Sequence, residues 1–239
     1  MTVLPRIVVV TGTDTDVGKT IITAALAAAL KSRGRTVAAY KPAQAGTYHG
    51  DGDIDVIRRL AGLDDVHEGI RLPEPMAPVA AAARAGVTLP TVQHHVHTIH
   101  HLAERYDHVL VEGSGGLLVQ LDNDSHTLAD IATAIRPPAA AVVVCRSGLG
   151  TLNHTELTIE ALTRRDIQIA GIIIGSWPQQ PTDIDLSNRQ YLSRDTPPLI
   201  GAIPEQAGKL PPTRFRHQAP CWLPQDGACA PKPAAPIHS

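Results

Sequence analysis

The sequence predicts an α/β fold: a doubly wound, mainly parallel sheet with helices on both faces. Two observations carry this. Short, nearly continuous apolar runs alternate with longer helix-like stretches, and strands without an alternating polar face are covered on both sides. Polar, glycine-rich residues follow the runs, as the βα loops of such a sheet should, and in this architecture ligands gather at the carboxyl ends of the strands.

The elements follow in order. Residues 7–11 (IVVVT) read as the first strand, and an Ala/Leu-rich helix from about 19 to 32 is closed by Arg33-Gly34, a basic residue and a C-terminal glycine. Residues 36–41 (TVAAYK) form the next strand. Residues 108–112 (HVLVE), 140–145 (AAVVVC) and 169–174 (IAGIII) are further strands, and 199–203 is a shorter one. Helices are expected near 53–61, 88–105, 126–135 and 152–164. From about residue 211 the chain is Pro-rich with little periodicity. A single domain is expected over 1–223, with 224–239 as a flexible tail whose removal (226–239) leaves activity nearly unchanged.

Composition narrows the function classes. The chain has 239 residues, 43% apolar but only 3% aromatic, so Ala, Val, Leu and Ile must fill its core. A net charge of −2 offers no footprint for nucleic acid or an anionic membrane, and no apolar run is long enough to span a bilayer. Cys145, Cys221 and Cys229 are sparse, odd in number and without metal spacing. With no signal-peptide layout, a reducing, cytoplasmic setting is expected.

The loops carry the chemistry. Residues 11–20 (TGTDTDVGKT) end in Gly18-Lys19-Thr20, the close of a phosphate-binding P-loop, but five residues separate Gly12 from Gly18 where the common pattern has four. The context is a strand before and a helix after, so backbone N–H groups and the helix dipole can hold phosphate oxygens. Lys19 can reach the β- and γ-phosphates, and the Thr20 hydroxyl can ligate Mg²⁺. Lys41 ends the second strand beside Pro42, where it can neutralise a transferring phosphoryl group. Within Asp51-Gly52-Asp53-Ile54-Asp55, Asp51 or Asp53 can hold Mg²⁺ or simply cap the helix that follows. Glu112 closes VLVEG, the usual setting for a P-loop protein's second metal-binding or water-orienting acid. Residues 148–154 (GLGTLNH) open a helix and fit either an anion site or an ordinary cap by Thr151. His94, His95, His97, His100 and His101 crowd one helix. At that spacing they could bind Zn²⁺ or Ni²⁺, but no cysteine or carboxylate pattern completes a site, and a solvated face is the simpler reading.

Together these motifs resemble the dethiobiotin synthetase family of biotin synthesis over roughly residues 7–205. The family's P-loop has the form GTxTxVGKT, which residues 12–20 match, so the long gap is a family trait. Lys41-Pro42 with Gly46, VEGxGG at 111–116 and LGTLNHT at 149–155 match as well. The resemblance implies a homodimer in which 7,8-diaminononanoate, CO₂ or bicarbonate, and ATP with Mg²⁺ give dethiobiotin through a carbamate and a carbamic-phosphoric anhydride. It implies catalytic roles for Lys19, Lys41, Thr15 and Asp16, and Mg²⁺ ligation by Thr20, Asp53 and Glu112. It assigns the nucleotide to Thr13, Asp16, Val17, Gly18, Lys19, Thr20 and Ile21, to Glu112, Gly113, Ser114 and Gly115, and to Gly175, Ser176, Pro204, Glu205 and Gln206. The substrate falls to Ala45 and to Gly150, Thr151, Leu152 and Asn153 of the second subunit, which favours the anion-site reading of that stretch.

Three departures matter. Ala45 stands where the family often has Ser or Thr, Asp16 where Glu is frequent, and Gly175-Ser176-Trp177 where an Asn often reads adenine. A weak preference for ATP over other nucleoside triphosphates is therefore expected. The rival reading is a P-loop GTPase or ATPase metal chaperone with a His-rich helix, but the chain shows no guanine-reading Asn/Thr-Lys-x-Asp motif. A ParA/MinD-type ATPase would carry Lys at Thr13, and a cobyrinate-type amidotransferase would need a longer chain with a glutaminase domain.

Overall fold

A computed structural model describes residues 4–46, 51–194 and 197–223; the expected tail, 224–239, lies outside them. One seven-stranded sheet organises the chain in the order β3-β2-β4-β1-β5-β6-β7, with every neighbouring pair parallel. The strands are β1 (Ile7–Gly12), β2 (Val37–Gln44), β3 (Val66–Arg71), β4 (His108–Gly116), β5 (Ala140–Cys145), β6 (Gln168–Trp177) and β7 (Leu199–Pro204). The helices are α1 (Lys19–Lys31), α2 (Asp53–Ala61), α3 (Pro78–Ala85), α4 (Val92–Arg105), α5 (Leu128–Ala134), α6 (Thr151–Thr163), α7 (Asp183–Leu192) and α8 (Pro212–Trp222).

Alternation along the strands sends side chains to two cores. Val8, Val10, Val142 and Val144 face α1, α2 and α8, whereas Val9, Val109, Val111 and Val143 face α4 and α5. Both faces are thereby covered, which is why the strands read as unbroken apolar runs. The central strand β1 lies between β4 and β5, where the winding reverses, so its following loop opens at the topological switch point.

Four elements depart from the sequence reading. The edge strand β3 reads VHEGIR and is mostly half-buried, so it lacks the apolar run of a central strand. The helix α3 is short and alanine-rich with Pro at its first turn. In α7 the buried residues are Asp185, Asn188 and Leu192, so its inward face is largely polar and no hydrophobic period announces it. The expected irregularity from residue 211 is corrected by α8, which starts on Pro212 and buries Phe215 and Ala219 against the α1 side of the sheet. Proline at a first helical turn is compatible with a helix because its missing N–H is not needed there.

Candidate active site

The site is built at the carboxyl ends of β1, β2 and β4. After β1 the chain turns through residues 13–18 and enters α1 at Lys19, with Gly18 as N-cap at φ 99° and no side-chain cap. That conformation suits glycine and leaves the first N–H groups of α1 uncapped by a side chain. Asp16 also adopts a positive φ of 56°. Lys19, only 7% exposed, folds back so that Nζ donates to the Asp14 carbonyl at 3.1 Å. Burial holds its pKa below the ordinary lysine value against the attraction of Glu112, and the charge of Lys41 adds to the lowering.

Across from the loop, Lys41 is 2% and Glu112 1% exposed. Lys41 Nζ lies 2.8 Å from Asp53 Oδ2 and 2.9 Å from Glu112 Oε1, and donates to the Gly113 carbonyl at 3.3 Å. Burial alone would lower the lysine pKa, but the two carboxylates outweigh it and hold it above the ordinary value. Burial would raise Asp53, yet Lys41 keeps that carboxyl below the usual range. Thr20 Oγ1 donates to Glu112 Oε1 at 3.0 Å. The other oxygen, Oε2, is buried with no hydrogen-bond partner.

That orphaned oxygen tests whether the residues suit a divalent cation. A hydroxyl and two carboxylates form an all-oxygen donor set, the chemistry Mg²⁺ requires, and a buried acceptor without a partner is what a ligand atom looks like before its ion. The residues fit. The capping alternative for Asp53 falls away: the N-cap of α2 is Gly52, and the Asp53 N–H donates to Gln44 Oε1 at 2.7 Å. Asp51 stays on the cleft wall.

A cleft of about 780 Å³ joins these groups. Thr15, Asp16, Gly18, Lys19, Thr20, Ile21, Lys41, Ala45, Asp53, Glu112, Ser114 and Gly115 all line it, so the expected loop, lysine and acid residues converge. Ser114 donates its hydroxyl to the Ala43 carbonyl, 2.5 Å away, which ties β4 to β2. Behind the loop a second hollow, about 370 Å³, is lined by Asp16, Val17, Ser176, Asp185, Glu205 and Arg146 among others. Thr13 faces a third, smaller hollow with His154. The structure does not bring Gly150, Thr151, Leu152 and Asn153 to the cleft. That stretch is the start of α6, where Gly150 is N-cap at φ 85° with no side-chain cap, so the alternative reading of an ordinary cap by Thr151 falls away. Thr151 instead donates to the Arg146 carbonyl at 2.7 Å. Pro204 ends β7, Glu205 N–H donates to the Trp177 carbonyl, and Gln206 stands at φ 61°.

Gly175 has a structural reason to be glycine. A Cβ there would sit 1.8 Å from the Val17 carbonyl oxygen, so the phosphate loop rests where a side chain would project. The sequence reading missed Gln44 and Asn188, and it gave Arg146, which follows β5, no role of its own. A Thr-x-x-Asp capping box at Thr182 and Asp185 would have found the helix that carries Asn188.

On α4, His94, His97 and His101 are spaced three and four apart on one exposed face, the solvated face expected, and His95 points away from it. His95 is buried and bonds Tyr40 Oη through Nδ1 at 2.6 Å, whereas His94, His97 and His101 are exposed. Among the described residues the group of three metal-capable side chains that comes together is Asp122, Asp124 and His126, elsewhere in the fold. There Asp122 accepts from the Asp124 and His126 N–H groups and from the His126 ring, the ordinary work of an Asp in a tight loop.

Comparisons with known proteins place the chain by family and fold. The AAA domain family AAA_26 matches residues 6–213. A protein of Mycobacterium sp. (strain JLS) named ATP-dependent dethiobiotin synthetase BioD is 46% identical over 226 residues, 91% of this chain and 97% of that protein. Its namesake from Streptomyces coelicolor is 47% identical over 229 residues, covering 92% and 94%. Among solved structures, the septum site-determining protein MinD from Pyrococcus horikoshii, complexed with Mg-ADP, superposes with a TM-score of 0.57 at 20% identity over 90% of each chain, a likeness of fold alone. At such identity over nearly the whole length, the chain belongs to the family of ATP-dependent dethiobiotin synthetases.

Proposed function

We propose that this protein closes the ureido ring of dethiobiotin from 7,8-diaminononanoate, CO₂ and a nucleoside triphosphate, ATP by family. One amine nitrogen of the diamine attacks CO₂ and becomes a carbamate. A carbamate oxygen then attacks the γ-phosphorus, and the nucleoside diphosphate leaves. The second amine attacks the carbonyl carbon of the resulting carbamic-phosphoric anhydride, and phosphate departs as the ring closes. The observation that carries this reading is that two buried lysines, Lys19 and Lys41, line one cleft, since two anions must meet and cations lower the cost of that meeting.

Each residue has a part. Lys19 leaves the Asp14 carbonyl for the β- and γ-phosphates, and the N–H groups at the start of α1 hold phosphate oxygens. Lys41 stabilises the carbamate and the charge that develops on the transferring phosphoryl group. Thr15 and Asp16 sit on the loop beside the reacting ends. Thr20, Asp53 and Glu112 would hold Mg²⁺, which supplies charge neutralisation on the phosphates. Ser176, Pro204, Glu205 and Gln206 border the base. Because Gly175 offers no side chain, selection among bases is weak. Ala45 leaves one substrate hydrogen bond to water. In a homodimer, the N-terminus of α6 at Gly150–Asn153 of one subunit takes the substrate carboxylate bound to the other.

The deciding assay is phosphate release with ATP, Mg²⁺ and bicarbonate, with and without the diamine. Release that needs both diamine and bicarbonate, with dethiobiotin identified by mass, is expected. Release indifferent to the diamine would sink the reading. CTP and GTP in place of ATP should support turnover within about tenfold, because a single lost base contact is worth roughly that.

A further inference from the structure

The phosphate-binding loop is one residue longer than the common pattern, and the extra length must be held somewhere. Asp16 takes up part of it in a left-handed conformation that non-glycine residues rarely adopt. On the inner side Lys19 Nζ bonds the Asp14 carbonyl at 3.1 Å. On the outer side the Arg146 guanidinium donates to the Thr15 carbonyl at 2.9 Å and lies 3.5 Å from Asp14 Oδ2. Asp14 Oδ1 in turn accepts the Thr15 N–H at 2.7 Å. The two peptides before the strained residue are therefore gripped from both sides.

Arg146 is itself held. It follows β5, and its carbonyl accepts the Thr151 hydroxyl at 2.7 Å. The next two carbonyls, of Ser147 and Gly148, both accept from Asn188 Nδ2, at 2.8 and 3.0 Å. Asn188 is 8% exposed on α7, one turn from Asp185, which is 7% exposed and bonded to Thr182. A buried amide bonded to two consecutive loop carbonyls fixes a backbone, and Arg146, whose side chain bonds the Thr15 carbonyl, is the residue just before that backbone.

We infer that Arg146 is a positioning residue for the phosphate-binding loop, and that Asn188 aims it from α7. The inference rests on the reading of residues 11–20 as the nucleotide cradle. When Lys19 turns to a nucleotide it gives up its bond to Asp14, and Arg146 then remains as the side-chain donor on this stretch that keeps Thr15 and Asp16 facing the cleft. Neither Arg146 nor Asn188 touches the reacting atoms; both act through the loop.

The test is equilibrium binding of Mg-ATP to the full chain by calorimetry, with melting temperature measured on the same samples. Arg146→Ala is expected to weaken binding about tenfold, the size of a lost hydrogen bond from a charged donor, with the melting temperature unchanged because the side chain is half exposed. Arg146→Lys should recover part of the loss, since one donor can still reach Thr15. Asn188→Ala should weaken binding in the same direction, and the double variant should bind no worse than Arg146→Ala alone, because both residues work through one loop. Wild-type affinity in Arg146→Ala, no rescue by lysine, or fully additive losses would overturn the proposal. Absence of Mg-ATP binding by the wild-type chain would overturn the cradle reading itself, a result distinct from any of these.

Discussion

Lys41 shows how much one side chain can decide. Its ammonium is buried against Glu112, and removing it leaves that carboxylate without its cation in a place water barely reaches. Lys41→Ala is expected to abolish turnover while nucleotide binding persists, and to cost about 3–5 kcal/mol of stability in metal-free solution, measured by denaturant titration. Added Mg²⁺ should return part of that stability, and normal turnover would overturn the role given to Lys41. Gly175 decides by having nothing. Introducing the family's common Asn by Gly175→Asn should weaken nucleotide binding instead of sharpening base choice, because its Cβ would collide with the Val17 carbonyl. Tighter, ATP-selective binding would show that the loop can move aside. His95 sets a pH limit. Burial, helped by His94 and opposed by Asp122, pushes its pKa down to about 4 from 6.5. The unfolded chain therefore binds a proton that the folded one refuses between those values, and stability should fall as pH drops from 6.5 toward 4. The full effect is about 3 kcal/mol. His95→Gln should flatten that slope in denaturant titrations run across the window, and an unchanged slope would assign the acid sensitivity to other groups.

At the scale of elements, the central strands and α1 were legible because burial on both faces leaves them no polar positions to hide in. The edge strand β3 and the helix α7 were not, and for opposite reasons. Solvent on one side of β3 permits polar residues there, while α7 buries Asp185 and Asn188 for hydrogen bonds that no hydrophobic period can signal. The helix α8 shows the weight of one aromatic in a chain with few. Phe215 is fully buried, stands edge-on to Trp222 at 5.2 Å and joins the core beneath α1 and α2. Phe215→Ala should cost about 3–5 kcal/mol by thermal or chemical unfolding. A loss under 1 kcal/mol would mean that α8 adds little to the fold.

At the scale of the molecule, the cleft and the α6 N-terminus lie apart, and the apolar side chains near that end are exposed. Leu149 is 82%, Leu157 55% and Leu118 49% exposed. Leu157 and Leu118 border the hollow that also holds Thr13 and His154. If a second copy covers this face, Leu157→Glu should yield monomers by size and light scattering. It should also lose diamine-dependent phosphate release while retaining nucleotide binding; unaltered size and turnover would place any dimer contact elsewhere. By itself the sequence determined the parallel sheet, the phosphate loop and the set of cations and acids around it, because apolar runs and short motifs are local and each carries its own physical signature. Only the tertiary structure decided that Glu112 and Asp53 share one buried lysine, that the loop lies on Gly175, and that Arg146 reaches it from the end of β5 while Asn188 of α7 bonds the carbonyls that follow Arg146. Those contacts join residues far apart in the chain, and nothing in the spacing of residues along a strand or helix records which distant partner a side chain will meet once the sheet has wound.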